Sequence, residues 1–146
     1  MEQYCATPAE IEQHLSLGMS LLARGSYSDA LSHFHAAVDA DPNNYMSYYK
    51  RATVYMALSR PRPALADLDR IMVLKPDFLK ARQQRGGLLL KMGRFDEVIP
   101  VSSWRVHSPQ AHIDLENVVR KEPGNEEARG LYSTINTLRE HVSRHC

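Results

Sequence analysis

The feature of this sequence that most restricts its fold is the recurrence of residue types every 34 positions. Gly18, Ala52 and Gly86 are separated by this step, and so are Pro42 and Pro76. Small residues therefore recur where two helices would approach closely, and prolines recur where a helix would end. A period of 34 residues with these features is typical of a repeated helix–turn–helix unit.

The period predicts an all-α fold built from helix pairs. We interpret it as a right-handed superhelical solenoid of about three tetratricopeptide repeats followed by a C-terminal helix. The predicted segments are a lead-in and cap (1–10), repeat 1 (11–44), repeat 2 (45–78), repeat 3 (79–125) and a last helix (126–146). That helix would either cap the final apolar face or begin a truncated fourth repeat of a longer protein. The residues predicted to pack between helices are Tyr27, Phe34, Tyr55, Leu68 and Phe95.

Capping signals agree with these helix boundaries. Thr7 precedes a proline and stands three residues before Glu10, which predicts a capping box at the start of the first helix. Gly25 can take the left-handed conformation that ends this helix, and Gly93 stands two periods later at the same position. Either asparagine of residues 43–44 can cap the next helix, and Gly124-Asn125-Glu126 is a capped start to the last one.

An insert of 13 residues, 98–110, interrupts repeat 3. The closing proline is Pro123, which comes 47 residues after Pro76 instead of 34. Removing the insert restores the repeat, because Ala111 then stands one period after Ala64 and two periods after Ala30. Two prolines make the insert a poor helix interior, so we expect the second helix of this repeat to restart at about Pro109. The insert is either a surface loop or in-frame intronic sequence retained in the message, and sequencing the transcript distinguishes these.

Composition fits a soluble globular protein and argues against two classes of partner. The chain has 18 Lys and Arg residues against 17 Asp and Glu residues, and 43% of its residues are hydrophobic. This balance of charge argues against nucleic acid as a partner. No apolar run is long enough to predict a membrane span. The N-terminus lacks the features of a signal peptide, so the chain as it stands is expected in the cytoplasm.

No motif in the sequence indicates chemistry. The glycine-rich phosphate loop, Gly-x-Ser-x-Gly and His-Glu-x-x-His are all absent from it. We therefore predict no enzyme activity, no catalytic residue, no cofactor and no metal. His141, His145 and Cys146 could meet at the end of the last helix, but a frayed polar terminus is the simpler interpretation. Asp67 and Asp69 are interpreted as ordinary solvated charges.

Three stretches of the chain resemble a known co-chaperone family. Residues 14–18 (HLSLG), 29–42 (DALSHFHAAVDADP) and 48–55 (YYKRATVY) are similar to the first repeats of endoplasmic-reticulum J-domain co-chaperones of subfamily C. Members of this family are also described as inhibitors of translation-initiation-factor kinases. The resemblance implies binding of unfolded or misfolded polypeptide clients, residence in the endoplasmic-reticulum lumen and a role in the unfolded protein response.

The resemblance also limits which partners the chain can engage. The family's J domain passes clients to the lumenal Hsp70, and that domain needs a His-Pro-Asp triplet. This sequence has no such triplet, so Hsp70 would be engaged only through a J domain absent here. An initiation-factor kinase is a further partner that the resemblance implies. The chain is interpreted as a possible fragment of a longer protein.

In arrays that this chain resembles, the first helix of each pair lines a concave groove. The resemblance places the client-binding groove on Leu15, Met19, Leu22, Met46, Tyr49, Lys50, Thr53, Met56, Lys80 and Leu90. Much of this surface is apolar, and flexible methionines suit varied partners. The alternative is that Leu15, Met19 and Leu22 are covered by N-terminal residues or by a dimer partner.

A carboxylate clamp for the acidic C-termini of Hsp70 and Hsp90 is the best-known other use of three such repeats. The clamp needs Lys and Asn on the first helix, where this chain has Leu15 and Met19. Lys50 and Gln84 replace further clamp residues, and only Lys80 matches. The sequence therefore favours a client-holding co-chaperone fragment. The other hypothesis is a scaffold module for one defined protein partner, without chaperone activity.

Overall fold

The computed structural model describes the backbone of residues 6–95 and 101–144, and the side chains of residues 6–92 and 110–140. The helices are α1 (Pro8–Ala23), α2 (Tyr27–Ala40), α3 (Tyr45–Ala57), α4 (Pro61–Leu74), α5 (Leu79–Phe95), α6 (Val101–Lys121) and α7 (Glu126–Arg144). No residue in the described ranges lies in a β-strand, and the predicted all-α fold of helix pairs is confirmed. The chain divides into two compact units, Met1–Pro76 and Asp77–Cys146.

The first unit contains two helix pairs. α1 packs on α2 and α3 packs on α4, while α3 also contacts α2 and α1. Phe34 is fully buried between them, in one cluster with Leu15, Ala30 and Val54. A Cβ atom on Gly18 would lie 2.5 Å from Phe34 Cε1. The small residue of the repeat therefore allows α1 and α2 to approach closely, as its spacing predicts.

The predicted helix ends of this unit are confirmed in detail. The backbone N–H of Thr7 donates to Glu10 Oε2 at 2.8 Å, and the N–H of Glu10 donates to Thr7 Oγ1 at 3.3 Å. Gly25 ends α1 with a φ of 81°. Asn44 is the asparagine that caps α3, because its Oδ1 accepts from the N–H of Met46 at 3.1 Å.

The second unit contains α5, α6 and α7, and each of the three packs against the other two. Its fully buried side chains include Leu115 and Val118 of α6 and Ala128 and Ile135 of α7. Asn125 caps α7, because its Oδ1 accepts from the N–H of Ala128 at 3.0 Å. The capped start predicted for the last helix is therefore confirmed, and its inner face covers α6.

Repeat 3 departs from the sequence prediction at both of its helices. α5 continues through Gly93 to Phe95, where the period predicts a turn. α6 begins at Val101, so the expected restart at about Pro109 is wrong and that proline lies inside the helix. An interior proline costs about 3 kcal/mol, and tertiary packing of the same helix can exceed this. Residues 98–100 of the insert lie outside the described residues.

The predicted packing residues are only partly confirmed. Phe34 and Leu68 are fully buried. Tyr27 and Tyr55 are half-buried, and Tyr27 packs against the core of the first unit. The side chain of Phe95 lies outside the described residues. No helix in the described part of the chain combines the length and apolar character needed to cross a membrane.

Candidate functional site

The candidate site is a surface of the first unit that we call the α1/α3 face, defined by Met19, Met46, Tyr49, Lys50, Thr53 and Met56. On α3 these residues recur at intervals of three or four, which places them on one side of the helix. All five side chains on α3 are half-buried. Met19 on α1 occupies the repeat position that Thr53 has on α3, and its side chain is 41% exposed.

Two residues predicted to line a groove are buried instead. Leu15 is 3% exposed and packs in the cluster around Phe34, and Leu90 of the second unit is 2% exposed. The prediction that these leucines face a partner is therefore wrong. Burying a leucine stabilises a fold by about 1.5–3 kcal/mol. Packing against a neighbouring helix removes the side chain from water and so provides this stabilisation.

The other predicted groove residues divide between exposed and partly covered positions. Leu22 is half-buried and packs against the core of the first unit. Lys80 is exposed, but it lies on α5 in the second unit. The α1/α3 face is thus smaller than the groove that the sequence predicts, and it belongs to the first two repeats.

An ion pair that sequence reasoning missed holds α3 against α4. Arg51 donates from Nη2 to Asp67 Oδ1 at 2.6 Å and from Nε to Oδ2 at 2.9 Å. The hydrogen bond to Asp67 raises the pKa of Arg51. Asp67 is buried, so its interpretation as a solvated charge is wrong. The signal that could have found the pair is its recurrence in repeat 3, as Arg85 and Asp114.

The α1/α3 face carries one formal charge beside mainly apolar side chains. The phenol of Tyr49 is neutral at physiological pH, since its ordinary pKa is 10.0 and burial raises the pKa further. The hydroxyl of Thr53 donates to the backbone carbonyl of Tyr49 at 3.0 Å, which satisfies it within the helix. Lys50 forms no ion pair with any residue whose side chain is described. Its ammonium group is the only cation of the face.

The described side chains contain no cluster suited to metal binding. Among residues 6–92 and 110–140, no three His, Cys, Asp or Glu residues lie close enough to hold an ion. His14 and His33 do approach each other, with their Nδ1 atoms 3.0 Å apart, a contact between α1 and α2 that no motif in the sequence predicts. The side chains of His141, His145 and Cys146 lie outside the described residues.

Comparison with known proteins shows related sequences, although no family model matches the chain. The chain is 46% identical over 131 residues to DnaJ homolog subfamily C member 3 of Mus musculus. The aligned residues cover 90% of this chain and 23% of the relative. It is 44% identical over 75 residues to the tetratricopeptide repeat and J domain-containing co-chaperone DNJ1 of Cryptococcus neoformans, covering 51% of this chain and 14% of that protein.

A solved structure is also similar to this chain, in both fold and sequence. The crystal structure of the P58(IPK) TPR domain matches with a TM-score of 0.78 and 40% sequence identity, covering 92% of this chain and 34% of that one. None of these three proteins is named as an enzyme. The chain spans about a quarter of the length of the curated DnaJ relatives it matches.

Proposed function

We propose a client-holding role for this chain, which has a tetratricopeptide-repeat fold and resembles the repeats of J-domain co-chaperones. In this role the chain is a non-catalytic module that holds unfolded or misfolded polypeptide segments against the α1/α3 face. The observation that carries the proposal is Met19, a large apolar side chain that is 41% exposed and stands at the repeat position of Thr53, within the row of half-buried residues on α3.

The chemistry of the face supports binding to many sequences. Met19, Met46 and Met56 are unbranched and polarizable, so they adapt to apolar side chains of different shape. A surface of this kind suits promiscuous binding, because few directional hydrogen bonds restrict the partner. Unfolded chains expose the apolar side chains that such a surface buries, and their burial contributes about 25 cal/mol per Å².

The wider role that we propose depends on the resemblance. The chain would act as part of a co-chaperone in protein folding and the unfolded protein response, in the endoplasmic-reticulum lumen. Clients would reach Hsp70 through a J domain, and an initiation-factor kinase would be a second partner. Each of these follows from the similarity to the J-domain relatives and not from the geometry of the α1/α3 face.

A scaffold module for one defined protein partner is the alternative function. The exposed apolar surface supports this function as well, because exposed apolar patches mark protein interaction sites in general. The carboxylate clamp is disfavoured, since Leu15 is buried where the clamp requires an available cation. Breadth of binding separates the two functions: a client holder binds many denatured proteins, and a scaffold binds one partner.

The test is suppression of aggregation by the 146-residue chain, with chemically denatured citrate synthase as the client and light scattering as the measurement. The variant is Met19→Glu, which places a charge on the α1/α3 face. The matched control is Val73→Glu on α4, because Val73 is 70% exposed and lies outside the face. Circular dichroism establishes that each variant is folded.

We expect the unmodified chain and Val73→Glu to suppress aggregation, and Met19→Glu to lose most of the effect. Equal suppression by both variants would exclude Met19 as a client contact. A helical, folded chain that suppresses nothing would overturn the client-holding function and favour the single-partner scaffold.

A further inference from the structure

We propose that the α1/α3 face selects extended segments in which an acidic residue adjoins bulky apolar residues. The acidic side chain would pair with Lys50, and the apolar side chains would contact Met19, Met46 and Met56. This inference rests on the proposed function, since it names the class of segment that the same face prefers. The occupant is an acidic–apolar stretch within a polypeptide, not a C-terminal carboxylate.

The first support is the unpaired charge of Lys50. Its neighbour Arg51 is paired with Asp67 at 2.6 Å. Arg85 is paired with Asp114 at 2.7 Å, and the surface residue Arg120 is paired with Glu116 at 3.1 Å. Lys50 has no such partner among the described side chains, although it stands among half-buried residues.

The second support is the position of Lys50 between apolar groups. It lies four residues after Met46 and three before Thr53, so it stands on the same side of α3 as the methionines and in the middle of their row. A segment that covers these methionines would bring its own neighbouring side chains close to Lys50. Coverage also removes water, which strengthens attraction between opposite charges.

The third support is the charge of the rest of the face. Tyr49 contributes no charge at physiological pH, because the ordinary pKa of its phenol is 10.0 and burial raises the pKa further. Glu12 is exposed on α1, at the repeat position of Met46, and it forms no ion pair with Lys50. The ammonium group of Lys50 therefore stays available to a carboxylate. Glu12 would oppose a second acidic residue near the start of α1.

The test measures binding of matched peptides by fluorescence anisotropy. The peptides are labelled twelve-residue segments with leucine and phenylalanine anchors around one central position, which is Glu in the first peptide and Gln in the second. The variant is Lys50→Gln. The control is Lys91→Gln, because Lys91 is exposed on α5 in the second unit and lies outside the face.

We expect the unmodified chain to bind the Glu peptide about twofold to fivefold more tightly than the Gln peptide at low ionic strength, the range of a partly exposed ion pair. This preference should disappear in Lys50→Gln, persist in Lys91→Gln and weaken as salt is raised.

Two results would overturn the selection, and they are distinguishable from failure of the function. Equal binding of both peptides to the unmodified chain, or a preference that survives in Lys50→Gln, removes the role of Lys50 and leaves client holding intact. Failure of the folded chain to bind either peptide, together with no suppression of aggregation, overturns the proposed function and the selection with it.

Discussion

Arg85 and Asp114 form a bidentate pair, in which Nε donates to Oδ2 at 2.7 Å and Nη2 donates to Oδ1 at 2.8 Å. Arg51 binds Asp67 with the same geometry in the preceding repeat. The two arginines are 34 residues apart, while the two aspartates are 47 apart, which is one period plus the 13-residue insert. The same contact therefore joins the two helices within repeat 2 and, separately, the two helices within repeat 3. After the insert, α6 keeps the spacing of the repeat.

Removing the acidic partner of this pair should destabilise the second unit strongly. Asp114 is 0% exposed, so Asp114→Ala would leave the buried guanidinium of Arg85 without its carboxylate. We expect a loss of about 3–5 kcal/mol in the free energy of unfolding, measured with urea. The matched change on α6 is Glu116→Ala, whose partner Arg120 is at the surface, with an expected cost below about 1 kcal/mol. Equal losses would contradict the structural role of the buried pair.

The close approach of α1 and α2 predicts that Gly18→Ala is destabilising. The added Cβ would lie 2.5 Å from Phe34 Cε1, so the helices would have to separate or the ring would have to move. Overpacking of this kind costs about 1–3 kcal/mol, measurable by thermal unfolding. Gly130→Ala on α7 is the control, because no side chain or neighbouring helix lies within 4 Å of its added Cβ. That control should stabilise by about 0.5–1 kcal/mol, and the same sign for both changes would refute the packing argument.

The corner between α3 and α4 predicts a stabilising substitution. Ser59 has a φ of 56°, and it stands one period after Gly25, which has a φ of 81°. The backbone hydrogen bond from Arg60 N to Tyr55 O, at 2.8 Å, closes the same type of turn as that after α1. Ser59→Gly should raise the free energy of unfolding by about 1 kcal/mol, since glycine adopts this conformation without strain. The reverse change, Gly25→Ser, should lower it, and a destabilised Ser59→Gly chain would contradict the prediction.

The raised pKa of Tyr49 predicts a pH dependence of stability. Its ordinary value is 10.0, and burial raises the value in the folded chain. As the pH passes the unfolded pKa, the unfolded state ionises first and the folded state loses relative stability. The contribution of Tyr49 is therefore complete below about pH 10 and is lost as the pH rises through the folded pKa.

The measurement for Tyr49 compares urea unfolding of the unmodified chain and Tyr49→Phe at pH 8 and at pH 10.5. We expect the phenylalanine variant to lose less stability between the two pH values, because it has no phenol to ionise. The difference in stability between the two chains at pH 8 gives the constant effect of the lost hydroxyl, and this difference is subtracted from the one at pH 10.5. An identical loss in both chains would show that Tyr49 does not contribute to the alkaline decline.

Local features of the molecule could be predicted from the sequence because they depend on residues close together in the chain. The capping box of Thr7 and Glu10 and the left-handed turn at Gly25 both require only neighbouring side chains and backbone groups. The 34-residue period, which includes Gly18 and Gly86, also identified the helix pairs, because each pair repeats one packing solution.

Tertiary structure alone decided which side chains remain available to a partner. Leu15 and Met19 lie four residues apart on the same helix, yet one is 3% exposed and the other 41%. Their difference depends on what the neighbouring helices place against each side chain, and Asp67 is buried for the same reason. The start of α6 at Val101, ahead of Pro109, likewise departs from the local preference of proline. The sequence by itself determined the repeat and the capped helix ends of the first unit, whereas the helix ends around the insert, burial and the extent of the α1/α3 face were not predictable from neighbouring residues.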